Sequence, residues 1–341
     1  MKFTSKILAG LAAGAVALTA GVASAQETVT LRMGTWLPPQ HHMIATTLKD
    51  WIASVDEASD GRIQIKVDPA PIGGPPAQYD LVRAGASDLV YHVAAYTPGP
   101  FEILRAIELP FLSTSAEAGS QAAWDWYERN IGFGEELEDV KVITLFVHGP
   151  GAIHTKKPIA TLEDLADVKL RVGGGGVRMS EALGAIPVAM PASQAYEAIS
   201  KGVADGAMFP YESIKGFRLG ELVDYHLSIP GGLYTTPFVI MMNQAKYDAM
   251  PADLQAALDE AGGINGAKLL GRGWDAADAA GLQVAIDGGG MVTTLSDSEL
   301  ARWSEQISFM EADWIGRAND RGLDGAALLD DLKATFSKYN N

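Results

Sequence analysis

The chain has 341 residues, with 42 acidic against 26 basic side chains, no cysteine and a formal net charge of −16. That balance argues against nucleic acid and anionic membrane surfaces as partners, and an anionic ligand needs a local cation to overcome the general field. The lack of cysteine excludes disulfides, a thiol nucleophile and lipidation at a signal cleavage site, so a packed core must hold the fold, and the length is ample for two lobes.

Residues 1–25 read as an address. Lys2 and Lys6 precede an apolar run from Ile7 that closes on Ala23-Ser24-Ala25, the pattern of a cleaved secretory signal peptide. A mature chain from Gln26 keeps 24 basic against 42 acidic residues, a net charge of −18. No later apolar stretch approaches the roughly 20 residues of a membrane span. The expected location is the periplasm, reached by export.

The mature sequence then alternates strand and helix patterns. Val29, Leu31 and Met33 alternate with polar residues, as in a half-buried strand. Met43, Ile44, Thr47, Leu48, Trp51, Ile52 and Val55 follow at helical spacing. GRIQIKV, ASDLVYHVAAY and VKVITLFVHG are further strand candidates, with helical sequence around Ala116–Arg129. VKLRV, IPVAM, GAMF and FVIMMN continue the series, with a helix at Ser193–Lys201. This order predicts parallel βαβ units. Beyond Asn243, helices are expected at Pro251–Gly263, Ile264–Ile286, one long segment capped by Ser296 or Asp297, and Ala326–Lys338, with a short strand in GMVTTL.

Catalytic and nucleotide signatures are missing. From Gly173 a G-x-G-x-x-G spacing needs glycine at Arg178, and no G-K-[ST] follows the glycines, so GGGG reads as a tight strand-to-helix turn. G-x-S-x-G and H-E-x-x-H do not occur. The six histidines (His41, His42, His92, His148, His154 and His226) show no metal-ligand spacing, and adjacent His41 and His42 are expected to point different ways. No metal, cofactor or catalytic residue is expected. Arg171 stands out within VKLRV, where burial demands a partner: either an internal acid or a ligand anion.

Five phrases in register carry a resemblance: GRIQIKVDPAPIGGPPAQYDLVRAGASDLVY, YTPGPFEILRAIELPFL, TLEDLADVKLRV, LGAIPVAMPASQAYEAISKGVADGAMFPYE and MMNQAKYDAMPADLQ. Across the mature chain the sequence resembles the substrate-binding proteins of TRAP transporters, the DctP-like family. The resemblance implies an α/β fold of the periplasmic binding protein type, class II-like, with two α/β lobes, hinge strands and a long bracing helix. Lobe I is expected from residues 26–149 and 240–285, lobe II from 150–239 and 286–320, and a C-terminal helix over 321–341 packing on both.

The implied function is a monomeric receptor, not an enzyme, that delivers a small carboxylate to one small and one large TRAP membrane subunit. Arg171 falls at the family's carboxylate-clamping position, where the planar guanidinium suits a bidentate pair. The second arginine of sialic-acid-type members falls at Gly151, their asparagine at Phe209 and a common aromatic at Ala192, while Pro100 replaces an arginine of nearer relatives. The retained single cation favours a monocarboxylate with an apolar or aromatic body. A dicarboxylate, oxo-acid or sugar acid is the alternative ligand, and an exported enzyme on a similar scaffold the alternative function. Expected to line the cleft are Trp36, Tyr96, Phe209, Tyr211 and Tyr234, with His92, His148 and His154 as candidate donors. Glu212 is an interlobe or surface ion-pair partner or a pocket or hinge carboxylate, the resemblance to some oxo-acid-binding relatives implying a cation site at a nearby glutamate, and Asn243 is a ligand contact or a turn cap. The four glycines are expected to leave room for the ligand.

Overall fold

The computed structural model describes residues 27–340 apart from 98 and 138. The expected signal peptide lies outside the described residues. The strands are β1 (Val29–Gly34), β2 (Ile63–Val67), β3 (Leu89–Val93), β4 (Val140–Val147), β5 (Ala152–Thr155), β6 (Lys169–Val172), β7 (Ile186–Ala189), β8 (Gly206–Phe209), β9 (Tyr225–Ser228), β10 (Pro237–Asn243) and β11 (Met291–Thr294). They form two sheets, ordered β2-β1-β3-β10-β4 and β11-β9-β5-β8-β6-β7.

Both sheets are mixed, which corrects the expectation of parallel units throughout. β1 pairs parallel with β2 and β3, and β6 with β7 and β8. β10 runs antiparallel to β3 and β4, and β5 antiparallel to β8 and β9. These two strands follow the crossings between sheets, from β4 to β5 and from β9 to β10. A strand that arrives from the other sheet needs no βαβ crossover and is free to enter in the opposite sense. β3 is buried along its whole length, because helices and loops cover both faces of the first sheet.

The third crossing is the 25-residue helix Gly263–Asp287, about 37 Å long at 1.5 Å per residue. It packs on helix Ala116–Asn130 and β4 on one side, and on helix Glu212–Gly216 and β11 on the other. Gly281 makes the second contact close: a Cβ there would lie 2.0 Å from the Tyr211 carbonyl oxygen. The expected long C-terminal helix divides at Ser308 into Asp297–Ile307 and Phe309–Asp320, and Ser296 Oγ caps the first by accepting from Glu299 N. Helix Gly325–Asn340 packs against Ala116–Asn130. No helix among the described residues is long and apolar enough to cross a membrane.

Candidate ligand-binding site

Arg171 is carried by β6 in the second sheet and is only 2 % exposed. Its Nε and Nη2 donate to the Met190 carbonyl oxygen at 3.1 and 2.8 Å, and Nη2 also donates to Tyr96 Oη at 3.2 Å. The guanidinium carbon stands 4.1 Å from the centroid of Phe209, on neighbouring β8. Among the described residues every partner of this cation is neutral. The internal salt bridge that the sequence left open is therefore not formed there, although a buried guanidinium is strongly stabilised by a carboxylate.

Tyr96 reaches the same point from the first sheet, on the short 3-10 turn Ala94–Tyr96 after β3. Its oxygen also accepts from Ala192 N at 3.0 Å. With two donors already on the oxygen, the phenolic proton is left to donate elsewhere. Beside it the glycine turn after β6 meets the first sheet closely. A Cβ on Gly174 would lie 2.6 Å from the Ala95 carbonyl oxygen, and one on Gly175 would lie 2.3 Å from Glu108 Oε2. Gly173, Gly175 and Gly176 do line the cavity, but Gly174 and Gly175 are small because the two lobes touch there, rather than only to enlarge it.

The cavity between the sheets holds about 750 Å³ of atom-free space, part of it open to solvent. Its first-sheet wall is a run of rings: Trp36 and Tyr91 at 5.8 Å, Tyr91 and Phe238 at 5.3 Å, then Phe238 stacked on Trp274 at 5.2 Å and 15°. One buried arginine facing aromatic rings can hold a small anion with an apolar body.

The family model for bacterial extracellular solute-binding protein, family 7 (DctP), matches residues 33–313. The chain belongs to the DctP family. Its fold is that of solved TRAP solute-binding proteins. One from a marine metagenome, described as specific for aromatic acid ligands and solved with 3-hydroxybenzoate, is 41 % identical with a TM-score of 0.86, covering 92 % of this chain and all of that one. One from Rhodoferax ferrireducens, with copurified benzoate, is 37 % identical at TM-score 0.86, covering 92 % and 98 %. One from Bordetella bronchiseptica, with bound (R)- and (S)-mandelate, is 33 % identical at TM-score 0.86, covering 91 % and 99 %. The DctP proteins are a receptor family, and their TRAP members work with membrane components.

In this DctP protein Trp36, Tyr96, His148, Arg171, Phe209 and Tyr234 all line the cavity, whereas His92, His154 and Tyr211 do not. His92 faces away from the cavity, between Tyr79 and Phe101, with Thr97 Oγ1 3.3 Å from its Nε2. His154 lies behind Phe209: its Nε2 donates to the Phe209 carbonyl oxygen at 3.2 Å, and its Nδ1 is 3.0 Å from His226 Nδ1. The Tyr211 hydroxyl is taken up by Ser228 Oγ at 2.8 Å.

His148 cannot be the expected donor in its neutral form. Its Nδ1 lies 2.6 Å from the Gly149 carbonyl oxygen, which only accepts, so the proton sits on Nδ1 and Nε2 keeps a lone pair. Burial pulls its pKa down to about 4, and the nearby Arg171 charge pulls in the same direction. Tyr234 occupies the space beside Gly151, where the resemblance put a second arginine: a Cβ on Gly151 would be 2.4 Å from the Tyr234 ring. The Tyr234 hydroxyl donates to the Met208 carbonyl oxygen at 3.0 Å.

Asn243 is a cap, with Oδ1 accepting from Lys246 N at 3.0 Å and Nδ2 donating to the Val82 carbonyl oxygen at 2.9 Å. Glu212 is buried, lines the cavity and sits 3.0 Å from His41 Nε2 across the lobes. The surface alternative for Glu212 is thereby excluded. The expectation that His41 and His42 diverge is also corrected: their rings lie 4.8 Å apart at 32°, packed together against Trp274 at the start of the turn Met43–Thr47. Sequence reasoning missed Tyr91, Phe217, Phe238, Trp274 and Glu108, all cavity-lining. Tyr91 neighbours His92 on a strand buried on both faces, where no polar alternation marks the cavity side.

Proposed function

We propose that this chain is the periplasmic receptor of a TRAP transporter for a monocarboxylate with an aromatic body. The observation that carries this reading is Arg171, a buried cation with only neutral partners among the described residues, facing a wall of aromatic rings. The ligand carboxylate takes the guanidinium and the free phenolic proton of Tyr96, while the ring packs among Trp36, Tyr91 and Phe238. The lone pair on His148 Nε2 accepts from a hydroxyl on the ligand. The benzoate, 3-hydroxybenzoate and mandelate bound by relatives at 33–41 % identity support the same class.

In this reading export removes residues 1–25, the receptor acts as a monomer, and residues 26–149 with 240–285 close on residues 150–239 with 286–320. The loaded receptor then hands its ligand to the small and large membrane subunits. The test is a thermal-shift screen followed by calorimetry with benzoate, 3-hydroxybenzoate, mandelate, succinate and galacturonate. The aromatic monocarboxylates should raise the melting temperature, and each should be recovered unchanged from the complex. Stabilisation by galacturonate or succinate alone would overturn the ligand class, and conversion of a bound acid to product would overturn the receptor role.

A further inference from the structure

We propose that His41, His42 and Glu212 form a transition-metal site that joins the two lobes beside the ligand cavity. His41 and His42 belong to the first lobe, ahead of helix Leu48–Ala58, and Glu212 begins helix Glu212–Gly216 of the second. His41 Nε2 is 3.0 Å and His42 Nε2 3.9 Å from Glu212 Oε1, and one donor atom from each residue lies within 4.8 Å of the others. A tetrahedral ion with bonds of about 2.0–2.2 Å separates its ligand atoms by roughly 3.3–3.6 Å, so small side-chain shifts complete the geometry.

The second observation is that His42 Nε2, 3.9 Å from Glu212 Oε1, is buried without a hydrogen-bond partner among the described residues. Glu212 Oε1 and His41 Nε2 have only each other, 3.0 Å apart, among the described residues. An unpaired nitrogen beside a buried carboxylate is expensive in a protein interior, and a cation satisfies both imidazoles and the carboxylate at once. Their types select the ion. Two imidazoles and one carboxylate suit Zn²⁺, Ni²⁺ or Cu²⁺, whereas Mg²⁺ and Ca²⁺ favour all-oxygen cages.

The outer contacts are consistent with ligation at His42 and define a change at His41. Thr47 Oγ1, 3.1 Å from His42 Nδ1, can accept the Nδ1 proton and so orient Nε2 toward the ion. At His41, ligation places the proton on Nδ1 and gives up the long 3.3 Å contact from Met43 N. His41 and Glu212 also line the cavity, which leaves one coordination position for a water oxygen.

The experiment uses untagged, EDTA-treated protein with no organic acid present, so that it does not depend on the ligand class. Zn²⁺ is titrated by calorimetry, with Mg²⁺ as control, and Ni²⁺ is followed by tryptophan emission, since the Trp274 ring centroid is 4.6 Å from that of His42. One Zn²⁺ per chain, quenching by Ni²⁺ and no Mg²⁺ response are expected. His42→Gln and Glu212→Gln, each checked for folding by circular dichroism, should weaken Zn²⁺ at least tenfold, whereas His92→Gln should leave it unchanged. Absence of Zn²⁺ binding, or equal affinity in His42→Gln and Glu212→Gln, would overturn the site. Benzoate binding by the same metal-free protein would still stand in either case.

Discussion

Tyr96 Oη accepts a hydrogen bond from Arg171 Nη2 at 3.2 Å, and the two residues come from different sheets. The contact therefore joins the two lobes and belongs to neither alone. Tyr96→Phe removes the acceptor for Arg171 and Ala192 N together with the proton offered to a carboxylate. The expected loss in benzoate affinity is about 1.5–3 kcal/mol, the range for hydrogen bonds to charged groups. Calorimetry on the two proteins measures it, and an unchanged Kd would remove Tyr96 from the site.

Arg171→Lys keeps the charge but loses the planar fork and its packing on Phe209. Arg171→Met loses the charge as well. Affinity for an aromatic acid should fall by roughly 1.5–3 kcal/mol in the lysine variant and further in the methionine variant. Circular dichroism establishes folding and calorimetry reads the affinity. Equal binding by all three proteins would assign the carboxylate to another group.

Gly174 tests the seam. Its missing Cβ is what lets the Ala95 carbonyl oxygen approach, with a would-be separation of 2.6 Å. Gly174→Ala should hold the cleft slightly open at a cost of about 1–3 kcal/mol, typical of an overpacked contact. Small-angle scattering should show less ligand-induced compaction than in the parent protein, with weaker binding. Identical compaction would mean that the turn yields without opening the lobes.

His92 supplies a pH dependence. Burial pulls its pKa from the ordinary 6.5 to about 3. Between those values the unfolded chain binds a proton that the folded chain refuses, so stability rises with pH across this window. The contribution is complete above about pH 6.5 and is lost as pH falls toward 3. His92→Gln should flatten the slope of melting temperature against pH in that window, whatever its effect at neutral pH. An unaltered slope would show that the ring is charged in the fold.

Much of this architecture was legible in the sequence because the strands carry clear apolar runs and the helices clear periodicity. β5 and β9 were not: each has four residues with a histidine in the middle, too short and too polar to register. The placement of Arg171 in a buried strand was readable from VKLRV, since an arginine amid apolar neighbours must be compensated by an anion or by polar contacts. The two sides of β3 were not readable, and His92 stood as the cavity residue in place of Tyr91. His41, His42 and Glu212 are separated by most of the first lobe and part of the second, so their convergence exists only in the folded chain.

The burial of Arg171 among neutral partners has a consequence for traffic at the membrane. Shutting a guanidinium away from water without a counter-anion is unfavourable, so the closed form is penalised until a carboxylate neutralises the charge. On the proposed receptor reading, ligand charge then acts as a checkpoint on shape. On that reading, membrane subunits that recognise the closed outline would rarely engage an empty receptor, and Arg171 would suppress futile encounters as well as select the cargo.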